Sequence, residues 1–303
     1  MSLATYADGI YRLPGLPQLI LWSAQMHWRH FPNLRGKWRL HDLATKVCER
    51  GLAHPRARFQ RSLTVPVDYA DLIQRELFLH GEYEPETTRE LLTLVRPGQT
   101  VLDIGANIGY YTLILAKAVG SRGAVHAFEP VPRLFETLRR NVSANGFRNV
   151  VAEKRACWSA AGEFEIYEAA GGNSGKSSLF EQHAQGVQGH RVQAITIDQY
   201  AREKKLDGVR LIKIDVEGAE TDVLEGAAET IRRCRPILVL EVVPRFLETR
   251  GSSLGAFTSL IESWGYHHRF LDLRPAAENW EYGNLLATPR NGPPGKERIH
   301  FSR

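Results

Sequence analysis

From Thr100 onward the chain alternates short apolar runs with amphipathic stretches, and this constrains the fold more than anything else in it. Residues 100–104, 124–128, 150–158, 211–215 and 236–242 read as buried strands. Residues 110–119, 132–145, 219–232 and 254–264 between them read as helices, several opened by Pro or closed by Gly or Asn. Strands separated by helices of roughly ten to fifteen residues must pair in parallel. The fold class is therefore α/β: a mostly parallel, doubly wound sheet with helices on both faces. Residues 163–167 and 191–195 alternate as half-exposed strands, and 267–271 and 284–288 offer the last ones. Ligands of such sheets bind at the carboxyl ends of the strands, so the residues following each strand are where chemistry is expected.

After the first strand stands Asp103-Ile-Gly105-Ala106-Asn107-Ile-Gly109, feeding the helix that begins at Tyr110. The glycines allow a tight turn. The spacing is D-x-G-x-x-x-G, not the G-x-G-x-x-G of pyrophosphate binders, and no phosphate-cradle Lys follows. Asp103 suits a ligand with an ammonium group. After the second strand, Glu129-Pro130 supplies an acid able to accept both hydroxyls of a ribose. The two acids together specify a nucleoside with a cationic amino-acid tail, as in S-adenosylmethionine. After the fourth strand comes Lys213-Ile-Asp215-Val-Glu217-Gly218-Ala-Glu220, and after the fifth Glu241. Asp215, Glu217 and Glu241 converge on one rim, where carboxylates raise one another's pKa and favour a general base. Glu217 reads equally as a cap of the following helix, and Glu220 as a solvated acid.

Asp103–Thr112 (DIGANIGYYT), Phe128-Glu129-Pro130 and 212–220 (IKIDVEGAE), with the Ser-rich 173–179 (NSGKSSL), resemble the FkbM family of S-adenosylmethionine-dependent methyltransferases. The resemblance spans roughly residues 83–243. It implies the class I methyltransferase Rossmann-like sheet of seven strands, the last antiparallel. It implies S-adenosylmethionine as cofactor, with Asp103, Gly105, Ala106, Asn107, Gly109 and Tyr110 along its methionine part and Glu129 and Pro130 at the ribose. Ala156 and Cys157 would flank the adenine, with no acid at that strand end, and Asp215 and Val216 would close the pocket. Hydroxyls of sugars, glycans or polyketides are the implied acceptors, and methyl transfer to oxygen the implied reaction. The Gly/Ser-rich stretch 169–178 reads as a lid or a plain connection, with Asn173, Ser177 and Ser178 as candidate acceptor contacts. A divalent cation on Asp215 and Glu241 is the alternative activator, although no dedicated metal motif is present. A cofactor-binding scaffold without turnover and an NAD-dependent oxidoreductase are the competing readings.

Residues 1–66 form a separate, helical, basic extension, and 67–303 the catalytic domain, with core motifs at 100–243. Leu40, Leu43, Val47 and Leu52 are spaced for one helix face. The formal net charge is +5, but residues 1–62 alone carry +7 and the remainder −2. Three of the six Trp (Trp22, Trp28, Trp38) lie in that basic stretch. They and Tyr83 read as core packing or as sugar-stacking rings. An exposed solvated face, an anionic membrane surface and an anionic glycan all fit such a segment, whereas no zinc-finger or RNP-type pattern supports nucleic acid. Three scattered Cys argue against a disulfide framework and for a reducing compartment such as the cytoplasm. No run approaches the ~18 apolar residues of a membrane-spanning helix, and residues 16–22 lack the pattern of a signal peptide.

Overall fold

The computed structural model describes residues 15–30, 37–168, 188–271 and 283–290. The chain divides into two compact units, residues 1–83 and 84–303, so the first unit runs past the boundary expected at Pro66.

The first unit contains α1 (Leu16–His30), α2 (Lys37–Glu49), an antiparallel hairpin of β1 (Arg56–Phe59) and β2 (Leu63–Pro66), and α3 (Leu72–His80). The hairpin adds strands to the helices expected in this extension. Its strands alternate exposed Arg56 and Arg58 with buried Ala57 and Phe59, which is period two rather than 3.6. Asp71 caps α3 by accepting the Gln74 amide at 2.9 Å. Gln25 and Arg29 of α1 donate to the last carbonyls of α3, Phe78 and Leu79, at 2.7 and 2.9 Å. The helix read from Leu40, Leu43, Val47 and Leu52 forms over the first three but ends at Glu49, before Leu52; its buried side is Ala44 and Val47, while Leu43 is exposed.

The second unit begins with α4 (Pro85–Leu94). There follow β3 (Thr100–Ile104), α5 (Tyr110–Val119), β4 (Ala124–Phe128), α6 (Pro132–Ala144), β5 (Val150–Glu153), β6 (Ala156–Cys157) and β7 (Gly162–Glu168). Next come β8 (Gln188–Ile195), α7 (Ile197–Glu203), β9 (Val209–Ile214), α8 (Glu220–Glu225), α9 (Ala228–Cys234), β10 (Ile237–Val242), α10 (Pro244–Thr249), α11 (Leu254–Ser263), β11 (Tyr266–Phe270) and β12 (Gly283–Pro289). Seven strands make the main sheet in the order β5-β4-β3-β9-β10-β12-β11. The first five run parallel, and β12 is antiparallel to both β10 and β11.

Side-chain alternation gives the central strands two different faces. On one, Leu102, Ile104, Ile212, Ile214, Leu238, Leu240, Leu285 and Ala287 join a continuous buried core with residues of α7, α8, α9 and α11. On the other, the register sets Asp103 beside Lys213, and Glu241 beside Asn284. One residue beyond the last paired positions of β9 and β10, Ile214 and Leu240, Asp215 comes next to Glu241. The polar residues therefore share one face because the apolar ones take the other.

Two expected elements are divided. The third strand does not run through 150–158: β5 ends at Glu153, and Ala156-Cys157 pairs with β8 in a separate three-stranded sheet with β7. The helix expected over 219–232 breaks at Gly226, where an added Cβ would lie 2.0 Å from the Trp158 carbonyl oxygen. The Gly226 carbonyl accepts the Asp198 amide at 2.9 Å, and the Asp198 carboxylate caps α9 by accepting the amides of Glu229 and Thr230 at 2.9 and 2.7 Å. Gly226→Ala should lower unfolding stability by about 2–3 kcal/mol through overpacking. Gly208→Ala, with nothing within 4 Å of its added Cβ, should change it by no more than ~0.5 kcal/mol in the same urea titration.

Candidate functional site

The carboxyl ends of β3, β4, β9 and β10 are tied together by main chain. The amides of Gly105 and Ala106 both donate to the Phe128 carbonyl, at 3.0 and 2.9 Å, and the Asp215 amide donates to Ile104 at 3.0 Å. Gly105 has φ +80°, and a Cβ there would lie 1.8 Å from the Asp215 carbonyl oxygen. The first glycine of the motif thus admits the neighbouring strand end. Gly109, at φ +94°, likewise leaves room for Leu138. Asn107 takes a left-handed conformation, and its side-chain oxygen accepts the Ile108 amide at 2.7 Å.

Glu129 is buried, and its two oxygens accept the amides of Asn107 and Val131 at 2.8 and 2.9 Å. Burial pushes its carboxyl up to about 7 against those two bonds. Each oxygen keeps acceptor capacity for a further donor. Asp103 is also buried. Its Oδ2 accepts the Thr112 hydroxyl at 2.5 Å, while its Oδ1 is a buried oxygen with no partner. An orphaned carboxylate oxygen beside a glycine turn is what a ligand ammonium would satisfy.

The centre of the site is Lys213, 1% exposed in the middle of the sheet. Its ammonium lies 2.8 Å from Asp215 Oδ2 and 4.5 Å from the centroid of the Tyr111 ring. The Tyr111 hydroxyl donates to Glu84 Oε2 at 2.5 Å, and Asn284 donates to the same oxygen at 3.1 Å. Glu84 itself sits at φ +44°, just before α4. Desolvation opposes the charge on Lys213, but Asp215, Asp103 and Glu84 together raise its pKa. In return Lys213 holds Asp215 below the usual carboxylate range. Glu241, partly buried and facing the negative charge of Asp215 and Glu217, is raised well above it by desolvation and by those charges, and shares a hydrogen bond with Asp215. One ammonium cannot balance all of these acids, so the pair favours the charge on Asp215 and the proton on Glu241.

Oxygens of Asp215, Glu217 and Glu241 all lie within 4.8 Å of one another, a spacing that could also hold a hard cation. Asp215 keeps 29% side-chain exposure, so the cluster is reachable. The N-cap residue of α8 is Ala219, which makes no side-chain cap bond. Glu220, expected in solvent, is buried and closes the loop by accepting the amides of Val216 and Gly218 at 3.2 and 3.1 Å. Val216 is partly buried against the main core.

Ala156 shares a small buried cluster with Ile108 of the glycine loop and Val131, whereas Cys157 joins the main core, where burial raises its thiol. Tyr110 turns its hydroxyl to Thr88 at 3.0 Å. An acid does end the third strand once that strand is seen to stop at Glu153. Its carboxylate accepts Tyr200 and Arg155, at 3.2 and 3.0 Å. Asn173, Ser177 and Ser178 lie outside the described residues. Sequence reasoning passed over Glu84 and Asn284, which have no motif, over Tyr111, which stands inside the glycine motif without being assigned a role, and over Lys213, whose signal was a cation inside an apolar strand.

This strand order, glycine turn and pair of strand-end acids define a class I S-adenosylmethionine-dependent methyltransferase. The chain belongs to the FkbM methyltransferase family, whose Methyltransferase FkbM domain matches residues 103–268. An NAD-dependent oxidoreductase is thereby set aside. Methyltransferase 1 of Beauveria bassiana is 30% identical over 183 residues, covering 55% of this chain and 71% of that protein. Protein-L-isoaspartate O-methyltransferase of Aeropyrum pernix is 36% identical over 112 residues, 35% of this chain and 43% of that one. The chain thus spans less than half the length of that relative. A crystal structure of methyltransferase FkbM from Methylobacillus flagellatus KT aligns with a TM-score of 0.44 at 15% identity, over 89% of this chain and 58% of that one.

Lys213→Met should cost about 3 kcal/mol, because it strands Asp215 and Asp103 beside each other. Adding Asp215→Asn should recover part of that loss in a chemical-denaturation cycle. Glu129 and Glu220 carry folded pKa values near 7, above their unfolded values near 4.5. The folded state therefore binds more protons, and their contribution is present in full below pH 4.5 and lost as pH rises through 7. Urea midpoints should fall from pH 5 to pH 8, and Glu220→Gln should flatten that slope.

Proposed function

We propose that this methyltransferase acts on a hydroxyl of a sugar, glycan or polyketide-type acceptor, and that Asp215, Glu217 and Glu241 manage the proton that leaves. The observation that carries this reading is the mutual approach of those three carboxyl groups within 4.8 Å, with Lys213 fixed on one of them. S-adenosylmethionine, when bound, supplies a methyl group activated on a sulfonium. The orphaned Oδ1 of Asp103 would hold its ammonium and Glu129 its ribose, while Gly105, Asn107 and Gly109 shape the turn beside it.

The residues of the chain then have a small task. The acceptor oxygen must be held in line with the methyl group, and its high pKa means the proton should leave as the new bond forms. Asp215 is the carboxylate favoured to stay charged, so it would accept a hydrogen bond from the acceptor hydroxyl and take its proton as the carbon–oxygen bond forms. Glu217 stands beside it at φ +53° on the same rim. Glu241, pushed toward its protonated form, would donate to Asp215. The O-methyltransferase named among the relatives supports transfer to oxygen, and a cluster that can take up a proton favours a hydroxyl, which must lose one, over a carboxylate. The unpaired thiols of Cys48, Cys157 and Cys234 support a cytoplasmic setting.

With saturating cofactor and a panel of hydroxylated glycans and polyketides, Asp215→Asn should reduce turnover by ~10²-fold or more. Glu241→Gln should be the mildest of the three amides, since a Gln side chain can still donate to Asp215. Full rates in all three amide variants would overturn the assignment. Loss of turnover in chelator, restored by magnesium, would instead make the cluster a cation site.

A further inference from the structure

The first unit carries a surface that methyl transfer does not use. α1 contains no acidic residue in its fifteen positions. Leu21 and Ala24 are its buried side. Leu16, Leu19 and Trp22, spaced three residues apart on the other side, are 71%, 39% and 42% exposed. A helix facing water would carry charge at such positions. α2, packed against α1, exposes Arg39, Leu43 and Lys46, with Arg50 following. The hairpin adds exposed Arg56 and Arg58 on β1 and Arg61 in its turn. Against these cations, residues 15–62 hold two acids, Asp42 and Glu49.

Three occupants can be weighed by chemistry. A second copy would set one +7 segment against another. A polynucleotide would use the arginines but leave Leu16, Leu19 and Trp22 in water. An anionic lipid surface uses both, apolar side chains at the acyl boundary and cations among the headgroups. We propose that the first unit docks this protein peripherally on an anionic lipid bilayer, through Leu16, Leu19 and Trp22 of α1 and the arginines and lysine of α2 and the β1–β2 hairpin. Among the described residues no helix is long and apolar enough to cross a membrane, so the contact is one of surface association.

Cosedimentation of the full chain with phosphatidylglycerol/phosphatidylcholine vesicles, and with phosphatidylcholine alone, tests this. Binding should be confined to the anionic vesicles at low salt and fall ~tenfold in high salt. The triple variant Leu16→Ser, Leu19→Ser, Trp22→Ser should bind ~tenfold more weakly. So should the pair Arg39→Glu, Lys46→Glu, which replaces exposed side chains and leaves the packed side of α2 untouched. Both variants should keep the wild-type affinity for S-adenosylhomocysteine and the wild-type circular dichroism. No binding to anionic vesicles at low salt would overturn the proposal, as would equal binding to neutral ones. It would also fall if both variants bound like wild type, or if sedimentation showed that the same substitutions dissolve a dimer.

Discussion

The second unit is organised around a cation in the wrong medium. Lys213 lies in a strand that otherwise reads as core, and it stays charged only because Asp215, Asp103 and Glu84 surround it. A buried ammonium without such partners would shed its proton, and buried carboxylates without it would take one up. Each therefore fixes the state of the others. Tyr111, lying under the ammonium and bonded to Glu84, brings the start of α5 into the same network, and Asn284 brings the antiparallel strand β12. The charge pattern at the strand ends is thus a property of the whole sheet rather than of one loop.

Close approach of main chain does the remaining positioning. Without a Cβ at Gly105 the carbonyl of Asp215 sits against the first turn of the motif, which locks the ends of β3 and β9 together. Glu129 reaches across from β4 to the Asn107 amide, and Glu220 reaches back to the loop that carries Glu217. Two buried acids therefore brace the two loops that would hold cofactor and acceptor. This is preorganisation built from desolvated hydrogen bonds, which gain strength where water is excluded.

Much of this was legible in the sequence, for definite reasons. Thr100–Ile104, Tyr110–Val119 and Ala124–Phe128 form where apolar period and glycine punctuation indicate. The strand-end rule led to Asp103, Glu129, Asp215 and Glu241 without any knowledge of their contacts. What could not be read depended on tertiary approach. The break at Gly226 exists because Trp158 passes over it, and the short strand Ala156-Cys157 because β8 lies alongside. Glu220 looked like a surface acid because helix-start acids usually are; its burial follows from the loop folding back on it. Glu84 and Asn284 are remote in sequence from every motif, and only the register of β10 and β12 brings Asn284 to the site.

The central claim is that these strand ends hold S-adenosylmethionine and that Glu129 carries its ribose. Calorimetric titration of the whole chain with S-adenosylhomocysteine and separately with NADH, beside a Glu129→Ala variant, tests it directly. The account predicts binding of the first nucleoside alone, weakened ~tenfold or more in the variant, as expected for loss of hydrogen bonds to a carboxylate. Binding of NADH, or S-adenosylhomocysteine binding that is indifferent to Glu129, would contradict it.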